Sequence, residues 1–494
     1  MAYVITQNCC NDASCVAVCP VGCIHPTPEE PGFATAELLH IDPATCIDCG
    51  ACADACPVDA IRPEAALTTA TRPFAELNAD YYRQHTPTPV FTRAQRPAEL
   101  ITTATPLRVG IVGSGAAGLY SAAALLRHPG VKVDMYEKLS TPDGLIRHGV
   151  APDHPATKQV IDQFDFVPEK RSRFQLHLGV EISTDLTHAE LLARHHAVIY
   201  AYGADNHNAL RVPGAELRGV HYANAFAGWY NDHPDHRHLD PDLSARRAVV
   251  IGNGNVALDI ARILATDPAR LTTTAIADSA LEALRHSGIE EIVMLGRRGP
   301  EHASFTTPEL LGLLNRPDID VFVNPADLPA ERPADPAARA RLDLLAAATT
   351  TSPTPGNKRI VLRFHTTPTR ILGTAAVTGI RVRRTDSNTD DTIDTTTVIA
   401  AIGFRGRPIP GIEFDPRTHT IPNSRGRVLT PTGTPIPGVY TAGWIKRGPV
   451  GVIGTNRTCA EETVACLLAD HRAGLLADPS RSVGELCAVW NPTK

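Results

Sequence analysis

The sequence predicts an α/β protein in which a small α+β domain precedes two doubly wound domains with parallel sheets. Three observations carry that prediction. Nine of the twelve cysteines fall within the first 56 residues. Beyond residue 106, short β-branched runs alternate with Ala/Leu-rich helical stretches, the pattern of strands and covering helices in a parallel sheet. Two glycine-rich turns, at 113–118 and 252–257, each stand between such a run and such a stretch. At 494 residues the chain also exceeds what one hydrophobic core supports, so several domains are expected.

Hydrophobic residues at 43% and charged residues at 20% are ordinary for a globular protein, and no apolar run is long enough to span a bilayer. No membrane partner is expected. The N-terminus MAYVITQNCC lacks a basic segment followed by an apolar one, which predicts a cytoplasmic address. The net charge of −6 hides a division: residues 1–60 hold eight acids and no Lys or Arg. So acidic a head disfavours nucleic acid and favours docking on a more basic body.

In a chain without a secretion signal, dense cysteines point to metal or cluster ligation rather than disulfides. The run Cys46-x2-Cys49-x2-Cys52-x3-Cys56-Pro57 has the ligand spacing of a two-cluster bacterial ferredoxin, whose fourth cysteine serves the other cluster. The earlier run, Cys9-x2-Asp12-x2-Cys15-x3-Cys19-Pro20, repeats the frame with Asp in the second place. Cys46, Cys49, Cys52 and Cys19 are therefore expected to hold a [4Fe-4S] cluster, and Cys9, Cys15 and Cys56 a second one. A carboxylate is harder than a thiolate, so the iron at Asp12 should be labile and a [3Fe-4S] cluster is the first expectation. A complete [4Fe-4S] is the alternative, and Cys10 competes with Cys9 as a ligand. Zinc would not demand this reciprocal spacing. Cys459, Cys466 and Cys487 read as buried free thiols.

From Arg62 to about Pro106 the chain is rich in Thr, Pro and Ala and reads as a linker with a short helix around Phe74 to Arg83. Residues 323–358, again rich in Pro and Ala, read as surface excursions.

The segment V-G-I-V-G-S-G-A-A-G places Gly113, Gly115 and Gly118 between the strand RVGIV and a helix, with Glu137 ending the next strand, VKVDMYE. This is the dinucleotide fingerprint of a Rossmann-like domain, in which the helix N-terminus favours phosphate and the acid accepts from an unphosphorylated ribose. FAD or NAD(H) is expected there, not NADP(H). The second turn, Gly252-Asn253-Gly254-Asn255-Val256-Ala257, follows the strand AVVIG, and the strand after its helix, IEEIVML, ends at Arg297 and Arg298 instead of an acid. Two guanidiniums suit a 2′-phosphate, so NADP(H) is expected here. Flavin converts between hydride and single electrons, so a chain with these three parts is expected to be an electron-transfer flavoenzyme.

Over about residues 107–460 the chain resembles the adrenodoxin reductase-like family of ferredoxin–NADP(+) reductases, through VGSGAAGLYSA, GLIRHGVAPDHP, GNGNVALDIARIL, GRRGP and GWIKRGPVGVIG. With its head the chain is similar to the fused ferredoxin/ferredoxin–NADP reductases of bacteria, and the head to seven-iron ferredoxins. The resemblance implies a ferredoxin domain at 1–62, a linker at 63–106, an FAD-binding domain at 107–205 and 400–494, and an NADP-binding domain at 206–399. It implies that Ala117, Glu137, Leu145 and Ile182 contact FAD, with Trp444, Gly451, Val452 and Ile453 along its isoalloxazine. NADP would meet Asn253, Gly254, Asn255, Val256, Arg297, Arg298 and Glu309, and His154 and Asp259 would lie near the hydride path. Val450 stands where the family commonly has Thr, and Gly312 where it often has an acid.

The implied reaction passes electrons from NADPH to ferredoxin, and onward to a cytochrome P450 or another ferredoxin-dependent enzyme. Two other readings fit the residues alone: an electron-input subunit like the small subunit of glutamate synthase, and a cluster-based redox sensor. A thioredoxin-type disulfide reductase would need a Cys-x2-Cys pair, which is absent after Cys56. Lys446 and Arg447 are candidates for receiving the acidic head.

Overall fold

The computed structural model describes residues 2–85, 100–102, 106–164, 172–333, 335–349 and 352–481. In the head, strands Tyr3–Ile5 and Ile61–Pro63 pair antiparallel, as do Ile24–His25 and His40–Ile41. Ile5, Ile24, Leu38, Leu39, Ile41 and Ile61 form a core shared with the cysteines. Such short strands cannot close a large core, so ligation must supply what burial does not.

The segment expected to be a linker opens with the helix Pro73–Gln84, close to the expected one. It belongs to the head: Asn78 Oδ1 accepts from the amides of Ile5 and Ile41 at 3.2 and 2.9 Å, and its Nδ2 donates to the Ile5 carbonyl at 2.9 Å. One buried amide side chain thereby satisfies two strand edges. Most of the remaining expected linker lies outside the described residues.

A seven-stranded sheet runs in the order Asn423–Ser424, Arg427–Leu429, Pro435–Thr441, Ala197–Tyr200, Leu107–Val112, Val131–Glu137, Phe174–Leu178. Its last five strands are parallel. A six-stranded parallel sheet runs Val220–Tyr222, Thr397–Ala400, Arg247–Ile251, Glu291–Leu295, Lys358–Arg363, Ile319–Val323. The strands anticipated at RVGIV, VKVDMYE, AVVIG and IEEIVML all appear, because their β-branched runs are buried on both faces, as parallel sheets require.

Two elements differ from expectation. The supposed excursion at 323–358 contains the helix Pro336–Ala348, with Asp335 Oδ2 accepting from the Ala338 amide at 2.8 Å and Pro at the first position. A three-stranded antiparallel sheet, Thr366–Gly373, Val377–Arg384 and Asp390–Asp394, was not anticipated. Its inward Ile371, Val377, Ile380, Val382 and Ile393 pack beneath the six-stranded sheet.

Candidate functional site

The head cysteines gather around two cavities. One is lined by Cys19, Cys46, Cys49 and Cys52, with Cys23 beside them. The other is lined by Cys9, Cys10, Cys15, Cys56 and Asp12. Cys19 thus stands with the second run and Cys56 with the first. Both cavities are otherwise walled by apolar side chains such as Ile24, Ile41, Leu39 and Ile61, a setting that fits an iron–sulfur cluster. Burial, reinforced by Cys56 and Asp12 nearby, pushes the Cys9 thiol up to about 12, and burial, reinforced by Cys46 and Cys19, pushes the Cys52 thiol up to about 11, so the thiolate form needs a cation beside it. The Asp12 carboxylate is already engaged: it accepts from the Ser14 amide at 3.2 Å and from the Ser14 hydroxyl, and Arg457 stands 3.5 Å away.

The first turn shows a separate reason for each glycine. Gly113 has φ of 100°, and a Cβ there would meet the Ala201 carbonyl at 2.7 Å. A Cβ at Gly118 would lie 2.0 Å from the Gly113 carbonyl, so strand and helix could not approach. Gly115, at the N-terminus of the helix Ala116–Leu126, faces open space, where a pyrophosphate could come close. Glu137 is buried at the strand end, accepting from the amide and hydroxyl of Ser114 at 2.9 and 2.8 Å and from the Leu139 amide at 3.0 Å. A Cβ on Gly443 would meet that of Ala117 at 2.5 Å, so this glycine lets Trp444 lie close to the first turn. Leu145 is exposed on the helix Gly144–His148, whose first residue, Gly144, lies against Gly115, while Ile182 is buried with Tyr136 and Val112 beyond Glu137. The turn Gly451–Ile453 is held by Thr455, whose Oγ1 accepts from the Val452 amide at 3.1 Å. A Thr hydroxyl is therefore present at this turn despite Val450.

In the second turn, Gly252 has φ of 128° and a Cβ there would lie 2.2 Å from the Ala401 carbonyl. Gly254 caps the helix Asn255–Ala265, which carries Val256 in its first turn. The Asn253 carbonyl accepts from the Ser304 and Phe305 amides at 3.0 and 2.8 Å, and Asn255 Oδ1 from the Thr306 amide at 2.8 Å. Arg297 and Arg298 are exposed just beyond the strand Glu291–Leu295, and among the described residues no carboxylate pairs with either guanidinium. Two free cations at this strand end fit a 2′-phosphate.

His154, Asp259 and Glu309 converge, with one ligand-type atom of each within 4.8 Å of the others. A metal ion is not required to balance them, because Arg262 lies in their midst. This arginine, 4% exposed, donates to Asp153 from two nitrogens at 2.8 and 2.9 Å, and stands 2.9 Å from Asp259 and 4.0 Å from Glu309. Burial opposes its charge, but Asp259, Asp153 and Glu309 hold its pKa above the ordinary value. Burial raises the pKa of Glu309, as does Asp259, against the pull of His154, Arg262 and a hydrogen bond from Gln7.

That last bond comes from the head, which touches both bodies. The Gly454 amide donates to the Cys10 carbonyl at 2.7 Å, and Arg457 donates to the Asp12 carbonyl at 3.0 Å and to Ser14 Oγ at 2.8 Å. On the other body, Glu37 pairs with Arg341 at 2.7 Å and accepts from the Thr307 amide at 2.7 Å. Val4, Leu67 and Phe74 pack with Leu311 and Leu344. Lys446 and Arg447 are not receptors: Lys446 pairs with Glu462 at 2.7 Å, and Arg447 donates to Asn456 at 3.0 Å. Sequence reading missed Gln7, Glu37, Arg341 and Arg457; only the uncompensated acids signalled that the head would seek cations. Cys459 accepts from the Gly443 amide at 3.2 Å and Cys466 is buried, while Cys487 lies outside the described residues.

Two family models match: 4Fe-4S binding domain over residues 39–62, and pyridine nucleotide-disulphide oxidoreductase over residues 107–293. A probable ferredoxin/ferredoxin–NADP reductase of Mycobacterium tuberculosis is 48% identical, with 97% of this chain and 85% of the relative covered. The human mitochondrial NADPH:adrenodoxin oxidoreductase is 40% identical over 76% of this chain and 81% of its own. The solved structure of Mycobacterium tuberculosis FprA in complex with NADPH superposes with a TM-score of 0.70 at 40% identity, covering 76% of this chain and 87% of that one. With the likeness running through head and body alike, the chain belongs to the fused ferredoxin/ferredoxin–NADP reductases, electron-transfer flavoenzymes of the adrenodoxin reductase-like family.

Proposed function

We propose that the chain delivers electrons from NADPH to iron–sulfur clusters held in its own head, and from there to a separate acceptor protein such as a cytochrome P450 or another ferredoxin-dependent enzyme. The contact between Gly454 and Cys10 carries this reading, because it sets the cysteine loop of the Asp12-containing run directly against the turn Gly451–Ile453. Bound FAD would take hydride from NADPH and release electrons singly to the clusters.

The chain's own groups do the positioning. Gly113, Gly115, Ala117, Gly118, Glu137, Leu145 and Ile182 would seat the FAD nucleotide, and Trp444, Gly451, Val452 and Ile453 would flank its ring. Asn253, Gly254, Asn255 and Val256 would receive the NADPH pyrophosphate, and Arg297 with Arg298 its 2′-phosphate. His154, Asp259 and Glu309, fixed around Arg262, would orient the nicotinamide. Cys19, Cys46, Cys49 and Cys52 would hold a [4Fe-4S] cluster, and Cys9, Cys15 and Cys56 a [3Fe-4S] cluster, since Asp12 is already engaged by Ser14. Cys49 is exposed and neighbours exposed Ile47, which suits the face that meets an outside acceptor. Among the described residues no helix is long and apolar enough to cross a membrane, and a cytoplasmic setting, where thiols stay reduced, suits such a cysteine-rich head.

Anaerobic mixing of the holoenzyme with NADPH tests this. Flavin bleaching should be followed by cluster reduction at a rate independent of protein concentration. Cluster reduction that scales with protein concentration, or does not occur, rules out internal delivery.

A further inference from the structure

Gln7, in the loop between the strand Tyr3–Ile5 and Cys9, donates from Nε2 to Glu309 Oε2 at 2.9 Å. Among the described residues this is the one hydrogen bond that the Glu309 carboxylate receives. Arg262 is a poor substitute, since it is committed to Asp153 and Asp259 and stands 4.0 Å from Glu309. The helix Thr307–Leu314, which carries Glu309, is also shaped to admit the amide. A Cβ on Gly312 would fall 2.2 Å from Gln7 Oε1 and 2.4 Å from its Cδ and Nε2. The backbone at Gly312 is not left-handed, and glycine is a poor residue for a helix interior, so the space it leaves for Gln7 is what accounts for it.

The groups facing Glu309 are His154, Asp259 and Arg262 from the body and Gln7 from the head, with Asp153 and Arg316 behind Arg262. Of these, only Gln7 arrives with the head. We propose that Gln7 is a positioning residue of the hydride-transfer site: docking of the head fixes the orientation and ionisation of Glu309, so the body reduces its flavin at full rate only with its own acceptor domain seated. This rests on the reading of Glu309 as part of the nicotinamide site.

The test uses the full-length holoenzyme and Gln7→Met, which keeps the side-chain length and removes the donor. Stopped-flow flavin reduction by NADPH across pH, and NADP+ affinity from flavin difference spectra, are compared with Glu309→Gln and with the double variant. A donor to a carboxylate favours its charged form, so its loss should move the acidic limb of the rate profile upward. Gln7→Met should slow flavin reduction by roughly tenfold on that limb, with FAD and iron content unchanged. It should add nothing in the Glu309→Gln background, and Gly312→Ala, which crowds the amide, should reproduce it. If Glu309→Gln alters NADP+ affinity or flavin reduction while Gln7→Met alters neither rate nor profile, the positioning role is overturned and the site reading stands. An equal effect of Gln7→Met with and without Glu309 overturns it as well, since general mispacking of the head would then be the cause. If Glu309→Gln is itself without effect, the reading of the nicotinamide site fails, and the proposal with it.

Discussion

Gly454 and Cys10 are joined by a 2.7 Å backbone hydrogen bond that leaves no room for a side chain between them. A Cβ on Gly454 would lie 2.2 to 2.3 Å from the Asp12 nitrogen, the Asn11 carbonyl carbon and the Cys10 oxygen. Gly454 has φ of −69°, a conformation open to any residue, so its requirement for glycine comes from the head alone. Gly454→Ala should push the head off while leaving the local backbone intact. Reduction of cytochrome c from NADPH should fall by roughly tenfold or more, because delivery to the clusters depends on how the head is seated, while ferricyanide reduction, measured above the acidic limb where loss of the Gln7 contact costs least, falls much less. Equal loss with both acceptors would show that the substitution damages the body instead.

Arg297 and Arg298, exposed and without a carboxylate partner among the described residues, predict the choice of nicotinamide cofactor. Replacing both with Ala removes charge-assisted hydrogen bonds worth at least about 1.5 kcal/mol each, so KM for NADPH should rise by roughly 100-fold or more. KM for NADH, which has no 2′-phosphate, should change by less than about threefold. Steady-state kinetics with the two cofactors decides, and parallel losses would mean that the arginines do not read the phosphate.

What sequence could foretell depended on how local its signal was. Cysteine spacing and the two glycine turns are local patterns, and each has a direct spatial counterpart: cysteines sorted between two cavities, and glycines whose missing Cβ atoms leave room for carbonyls or a ligand. The helix Pro336–Ala348 was hidden because its Ala- and Arg-rich sequence has weak amphipathic contrast. The docking residues were hidden for another reason. Gln7 and Glu309 are 302 positions apart, and Glu37 and Arg341 are 304 apart, so no window of sequence contains both members of a pair. Charge balance pointed correctly to an acidic head meeting cations but misplaced them, because Lys446 and Arg447 already have partners within their own domain.

Asp12 sets the expectation for the second cluster. Its carboxylate accepts from Ser14 and faces Arg457, and both contacts compete with iron. Aerobically purified protein should therefore show the EPR signal of an oxidised [3Fe-4S] cluster, and iron analysis should find fewer than eight irons per chain. Asp12→Cys should convert the signal to that of a reducible [4Fe-4S] cluster, because a thiolate holds the fourth iron. Two intact [4Fe-4S] clusters in the unmodified protein would reject this account and turn attention to Cys10, which lines the same cavity.

The final prediction concerns the group around Arg262. Asp259→Asn keeps the shape of the side chain but removes one of the carboxylates that Arg262 serves, while the two hydrogen bonds from Arg262 to Asp153 remain. Arg262 stays paired, so the stability loss should be about 1 kcal/mol rather than the roughly 3–5 kcal/mol of an orphaned buried charge. Still held by Asp153 but no longer shared with Asp259, the guanidinium acts more strongly on Glu309, 4.0 Å away, and so alters the polar wall of the site. Hydride transfer depends steeply on alignment, so flavin reduction by NADPH should slow by roughly tenfold in Asp259→Asn and in His154→Ala. FAD content should be unchanged, because neither residue adjoins Gly115 or Glu137. Stopped-flow reduction on protein of verified flavin content is the measurement. A reduction rate equal to that of the unmodified protein in both variants would assign His154 and Asp259 to holding Arg262 in the fold, with no part in orienting the nicotinamide.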